Sequence, residues 1–368
     1  MKIVADESIP LINHYFGEYG DLILKNGREI SRQDLLTADA LIVRAVTQVD
    51  KNLLHDTPVK FVGSVTAGQD HLDTIWLEET HIPWRIAAGC NAIAVADYLI
   101  CTIAFLQKNE FLKKKKLRIG VIGVGHAGSE VVEKLSALDC DIIQCDPLRA
   151  VQDKTFHSTP IEELSDLDVI TLHVPLTKIG DFPTYHLIEK NFLERQNKNC
   201  VLINTSRGDV IHTEDLQRYG NHLIVCFDVF PHEPAIDLTL VKMALITTPH
   251  IAGYSIQAKY RGIEMIHQAL KKSDIFPKKT ISAIVLPKQE ISFSYQEMDW
   301  QEVVLSIYDP HKTSLEMKEK LNQDKNSFDS MRKNFVERCE FSYMTIKNVK
   351  LSEQSQRLLT RLGLSIKC

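Results

Sequence analysis

Little in this chain of 368 residues points to a membrane, a metal or a polyanion. Its longest nearly apolar run, Ala92 to Leu106, is interrupted by Asp97. That is short of the ~20 residues a bilayer-spanning helix needs, so a buried amphipathic helix accounts for it better. The opening MKIVADESIP has no charged leader followed by an apolar stretch, and no export signal is expected from it. The 8 cysteines include no Cys-x-x-Cys pair and no His/Cys cluster at zinc-ligand spacing. In a chain this large they read as reduced core residues of a cytoplasmic protein, not as a disulfide or metal framework. A net charge of −5 offers no broad basic surface for nucleic acid, and the run Lys113–Lys116 is most simply a solvated connection. Internal repeats and low-complexity segments are also missing.

What is present is a globular composition, 44% hydrophobic and 25% charged, with length for two or three domains. Short β-branched runs at Lys2–Ala5, Asp21–Lys25, Ala40–Ala45, Lys60–Val65 and Ile82–Ala87 alternate with helical patterns. Such alternation predicts a parallel, doubly wound sheet. A helical pattern from about Ile93 to Leu106 leads to the strand Arg118–Ile122, which opens a second series at Asp141–Cys145, Val169–His173, Val201–Asn204, Leu223–Asp228 and Leu245–Thr248. From Ser255 to Lys272, Ile256, Tyr260, Ile263, Ile266 and Leu270 recur at helical spacing, which would carry the chain back onto the first domain. Beyond Pro277 and Pro287 the continuous β runs thin out and charged helical positions multiply, as in a separate small α+β domain from about Ile291 to Cys368.

The segment RIGVIGVGHAG sets Gly123, Gly125 and Gly128 in a G-x-G-x-x-G between an apolar strand and a helical pattern. The next strand ends at Asp146, close to the roughly 20-residue spacing expected of a ribose-binding carboxylate. Glycines allow close backbone approach to a pyrophosphate, whose charge a helix N-terminus favours. Asp146 would accept from a ribose 2′-hydroxyl and repel a 2′-phosphate, favouring NAD over NADP, although Arg149 stands nearby.

Three further residues each follow an apolar strand: Arg207 in NTSRGDVI, Glu233 in FDVFPHEP and His250 in TTPHIAGY. The carboxyl ends of strands border the ligand crevice of an open parallel sheet, where separated residues can converge. A histidine backed by a carboxylate can take a hydroxyl proton as hydride leaves the adjacent carbon, and an arginine offers a planar fork to a carboxylate. The set suits oxidation of a 2-hydroxy acid. Singly, each residue has a plainer use: His250 as a helix cap, Glu233 as a loop acid, Arg207 in a surface ion pair. His173, in HVPLT, is a cofactor-facing candidate outside this catalytic set, and Cys90 has no base beside it in the sequence. Arg44 and Thr66-Ala67-Gly68 follow strands of the first domain and could meet a distal phosphate, or the latter could be only a turn. Arg332, Lys333 and Arg338 in MRKNFVER read as a basic helix face, with Phe335 and Val336 available for packing. That face is either a solvated or dimer-contact helix, or it reaches a partner's active site.

Together Gly123–Gly128, Asp146, His173–Thr177, Asn204–Gly208, Asp228, Glu233-Pro234 and Pro249-His250 resemble D-isomer-specific 2-hydroxyacid dehydrogenases. The segments VADESIP, LIVRAVT, FVGSVTAGQDHLD, GCNAIAVADY, HIAGY and MRKNFVERCEF are similar to the branch that oxidises 4-phospho-D-erythronate in pyridoxal phosphate synthesis. The resemblance implies an α/β protein with a flavodoxin-like substrate domain (1–92 and 255–285), a Rossmann NAD-binding domain (93–254) and a small α+β dimerisation domain (286–368). It implies a cytoplasmic homodimeric enzyme using NAD, with no metal. Arg207 would anchor substrate, Glu233 support the histidine and His250 accept the proton. Gly123, Gly125, Gly128, Asp146, Thr205, Asp228 and Gly253 would hold NAD, Asp228 at the carboxamide. Arg44, Ala45, Thr66 and Tyr254 would meet substrate. Ala45 departs from the serine common in the family, which leaves room for a different 2-hydroxy acid such as 3-phosphoglycerate. A dinucleotide-sensing binding protein is the rival of another class.

Overall fold

In the computed structural model, which describes residues 1–273 and 275–367, the chain divides into two compact units. One comprises 1–91 and 255–287, the other 92–254 and 288–368.

The first unit is built on a parallel sheet of β1 (Lys2–Asp6), β2 (Asp21–Lys25), β3 (Ala40–Val43), β4 (Phe61–Ser64) and β5 (Trp84–Ile86). The strands lie in the order β2-β1-β3-β4-β5, the doubly wound order in which the chain reverses its direction of progress beside β1. β3 and β4 are buried throughout, as parallel strands covered on both faces must be. Helix Ile256–Lys272 returns to this sheet as its periodicity predicts. Ile263, Ile266 and Leu270 join Ile3, Ala5, Ile42 and Phe61 in one apolar cluster.

The second unit contains a six-stranded parallel sheet of β6 (Leu117–Ile122), β7 (Cys140–Cys145), β8 (Val169–Leu172), β9 (Val201–Asn204), β10 (Ile224–Phe227) and β11 (Ile246–Thr247). Its order is β11-β10-β9-β8-β6-β7. The switch point lies between β6 and β8, and β6 carries the glycine turn on its carboxyl end. Ile122, Leu172, Leu202 and Phe227 extend an apolar core that Met317, Leu321 and Phe328 of the C-terminal stretch complete. Residues 288–368 thus share a unit with 92–254. They add a third parallel sheet, β12 (Gln289–Glu297), β13 (Met344–Lys350) and β14 (Ser365–Lys367), in that order, with helices between successive strands.

The apolar run at 92–106 is a helix, Ala92–Lys108, buried on nearly all sides. Among the described residues no helix is long and apolar enough to cross a membrane. Within this helix Asp97 is buried and pairs with Lys134 at 3.0 Å, while one oxygen accepts from the Phe341 N–H at 2.8 Å. One structural expectation needs correction. The basic stretch 332–338 is not one helix face: the helix Phe328–Lys333 stops at Asn334, and Arg338 is buried beyond it.

Candidate active site

The dinucleotide turn is shaped by what its glycines must avoid. Gly123 has φ +85°, and a Cβ there would lie 2.7 Å from the Val174 side chain and 2.8 Å from the His173 backbone. At Gly128 a Cβ would lie 1.9 Å from the Gly123 carbonyl oxygen, so only glycine lets helix His126–Leu135 start so close to β6. A Cβ on Gly125, by contrast, would meet nothing within 4 Å. That open side, at the helix N-terminus, is where a diphosphate can approach main chain. At the end of β7, Asp146 accepts from the Val124 N–H at 2.7 Å and from the Arg149 N–H at 2.9 Å, holding its carboxylate against the turn. Arg149 is directed elsewhere, to the Val124 carbonyl, the Ser129 hydroxyl and the ring of Phe156. These residues fit a dinucleotide.

The catalytic candidates follow neighbouring strands. Asn204, last in β9, accepts from the Ser206 N–H at 3.0 Å and hydroxyl at 2.7 Å and donates to the Arg207 carbonyl at 2.9 Å, which coils the loop that presents Arg207. Gly208 permits the next contact: a Cβ there would sit 2.1 Å from the backbone of Phe230 and Pro231, so the Arg207 loop lies directly on the loop leading to Glu233. Glu233 accepts from the Phe230 N–H at 2.9 Å through one oxygen and meets His250 Nδ1 at 2.7 Å through the other. Burial pushes the Glu233 carboxyl up. The charge and hydrogen bond of His250, the Phe230 N–H and the charge of Arg332 outweigh it, so the group titrates below its ordinary value. An ionised carboxylate only accepts, so the Nδ1–H of His250 is the donor, and in the neutral ring Nε2 carries the lone pair.

Asp228, at the end of β10, is buried and accepts from the Thr248 hydroxyl at 2.6 Å and from the Ile251 and Ala252 amides at 2.7 and 2.9 Å. It thereby fixes the loop that carries His250, Gly253 and Tyr254. Burial raises its proton affinity, against the opposing effects of His250 and these donors. His173 hydrogen-bonds Thr171 at 2.9 Å and Thr205 at 3.3 Å, and burial drives its imidazole down to about 3. It stays neutral, as a contact residue would.

In the first unit Arg44 pairs with buried Asp6 through Nε at 2.8 Å and Nη2 at 3.3 Å, beside exposed Ala45. The Thr66 hydroxyl shares Ser64 with the buried His71. The sequence gives no sign of the Ser64–His71 link. It marks Arg332 only as one cation of a basic stretch; in the structure its Nη2 donates to the Tyr254 hydroxyl at 3.4 Å and its charge acts on Glu233. Arg332 meets Tyr254 from 78 residues along the chain, whereas Ser64 and His71 are 7 residues apart and joined by a turn of the loop after β4.

A glycine turn that fits a dinucleotide and an acid-backed imidazole, on the carboxyl ends of one parallel sheet, are suited to a hydride transfer from an alcohol. The sequence agrees: residues 101–252 match the D-isomer specific 2-hydroxyacid dehydrogenase, NAD binding domain. The class is that of the NAD-dependent 2-hydroxyacid dehydrogenases. A solved D-lactate dehydrogenase of Aquifex aeolicus, complexed with NAD and lactic acid, shares the fold with a TM-score of 0.57 and 23% identity. The match covers 74% of this chain and 94% of that one. Residues 283–363 match a domain of unknown function (DUF3410). Over 93% of its length the chain is 40% identical to the erythronate-4-phosphate dehydrogenase of Coxiella burnetii (strain RSA 331 / Henzerling II), covering 94% of that protein. With the enzyme of that name from Marinobacter nauticus it is 35% identical over the whole of both chains. The chain belongs to the erythronate-4-phosphate dehydrogenase family.

Proposed function

We propose that this chain oxidises 4-phospho-D-erythronate at C2 to 2-oxo-3-hydroxy-4-phosphobutanoate, in the synthesis of pyridoxal 5′-phosphate. The observation that carries the reading is the 2.7 Å contact between His250 and Glu233, within a chain that matches its named relatives nearly end to end. Gly123, Gly125, Gly128, Asp146, Thr205, Asp228 and Gly253 hold NAD, which when bound supplies the hydride acceptor. Arg207 orients the substrate carboxylate with its planar fork. His250 Nε2 takes the C2 hydroxyl proton, and Glu233 keeps the ring in that tautomer and stabilises its charge once the proton arrives. Arg44, Ala45, Thr66 and Tyr254 are the remaining substrate contacts. At Ala45 the main-chain N–H stays available to an anion although the family's hydroxyl is gone.

Residues 1–92 and 255–285 act in this reading as the substrate domain, 93–254 as the NAD domain and 286–368 in dimerisation. The chain works as a cytoplasmic homodimer; Val336, 87% exposed, is an apolar side chain suited to a partner surface. The test is NADH formation, followed by absorbance, on a panel of 2-hydroxy acids with and without a terminal phosphate, with oxo acids added as alternative acceptors. Turnover confined to 4-phosphoerythronate is expected. Preference for 3-phosphoglycerate would move the reading to another member of the class. NAD binding with no turnover on any acid would favour a sensing protein.

A further inference from the structure

The C-terminal stretch reaches the catalytic loop through the main chain. Arg338, 7% exposed, donates through Nη1 to the Ile251 carbonyl at 3.2 Å, and through Nη2 to the Ala94 carbonyl at 2.8 Å and to the Ala252 carbonyl. The amides of the same two residues donate to Asp228. The backbone directly after His250 is therefore held at both poles, a carboxylate on its N–H groups and a guanidinium on its carbonyls. The clamp is itself braced. The guanidinium carbon lies 4.8 Å from the ring centre of Tyr308 and 5.8 Å from that of Tyr98. The Tyr98 hydroxyl bonds Thr248 at 2.8 Å, and Thr248 donates to Asp228. A planar fork can serve three carbonyls at fixed angles, which a compact ammonium cannot.

We propose that Arg338 is a positioning residue for proton transfer: by fixing the Ile251 and Ala252 peptides it sets where His250 stands. The stretch of unknown function thus has a part in catalysis, apart from any part in dimerisation. The inference rests on His250 being the base of the proposed reaction. Displacing a reacting group by an ångström costs about 10²-fold in rate.

The test compares full-length Arg338→Lys and Arg338→Met with the parent protein. NADH binding, titrated by fluorescence, gives the fraction of competent sites. Per competent site, kcat on 4-phosphoerythronate falls about 10²-fold in Arg338→Met and less in Arg338→Lys. The isotope effect with C2-deuterated substrate rises, because the chemical step becomes limiting. Exchange of the Ile251 and Ala252 amides, read by mass spectrometry without substrate, accelerates in both variants. Loss of activity only in proportion to lost NADH sites, with the isotope effect and the exchange unchanged, overturns the proposal. If Arg338→Met does not fold, Arg338→Lys carries the same readouts. A parent protein inert towards the substrate refutes the functional reading instead, and the amide exchange still decides whether the clamp exists.

Discussion

At the residue scale the proposed chemistry depends on charge placed beside one imidazole. Glu233→Gln keeps the shape of the acceptor but removes the charge that stabilises the protonated ring, and His250→Asn removes the base. General-base assistance is worth about 10²–10⁴-fold, so kcat falls by that order in each, with NADH affinity kept; steady-state kinetics and fluorescence titration check it. Arg332 offers a subtler prediction. Its charge is among the groups that hold Glu233 below the ordinary carboxyl range. Removing it in Arg332→Met raises the proton affinity of Glu233, an upward shift that NMR titration of its carboxyl carbon measures. Arg332→Lys leaves the carboxyl titration in place. Glu233 and His250 are legible in the sequence because each follows an apolar strand. Their pairing through Nδ1 is not, because seventeen residues of loop and strand separate them and only the fold closes the 2.7 Å contact. Arg338 is the converse case: in MRKNFVER it has the look of a solvated cation, and nothing local reveals the carbonyls of Ala94, Ile251 and Ala252 that bury it.

At the scale of elements, helix Ala92–Lys108 is tied to helix His126–Leu135 by Asp97 and Lys134, both largely buried. Burial pushes the Asp97 carboxyl up to about 6, against the pull of Lys134 and the Phe341 N–H. A folded-state value above the unfolded one means the native state binds the proton first, so this group's contribution to stability rises as pH falls from above 6 towards 4. Lys134→Met leaves the carboxylate buried without its cation and costs about 3–5 kcal/mol at pH 8. The loss shrinks at pH 5, where Asp97 is protonated, and urea denaturation at the two pH values measures it. The sequence displays the helix through its apolar run but makes Asp97 look like an interruption, since a buried partner thirty-seven residues away leaves no local trace. The strands of the first two sheets are equally open to reading: ALIV is a continuous apolar run, and VLIN is one up to its closing asparagine, as strands covered on both faces require. β12 escapes that signal. In its QEISFSYQE, Ile291, Phe293 and Tyr295 alternate with polar residues in place of a continuous apolar run, and the strand is mostly exposed.

At the scale of the whole molecule, binding and stability are linked. A ligand that binds only the native state adds RT ln(1 + [L]/Kd), about 2.7 kcal/mol at a hundred times Kd. NAD should therefore raise the melting temperature of the protein, because the proposed cradle, from the Gly123 turn to the Asp228-held loop, exists only when the parallel sheet is assembled. In the proposed site the adenosine end sets the choice between cofactors. Asp146 is held against the turn by two backbone amides and has no freedom to swing away from a 2′-phosphate. Arg149, the nearby cation that could offset the repulsion, is directed to Val124, Ser129 and Phe156. NADP at equal concentration is thus expected to shift the melting temperature far less than NAD. Asp146→Ala should narrow the gap from both sides, weakening NAD by the lost ribose hydrogen bond and relieving NADP of the like charge. Differential scanning fluorimetry across a concentration series of each cofactor measures both effects. Equal shifts by NAD and NADP in the parent protein would show that the carboxylate does not govern the choice, and would move that role to Arg149.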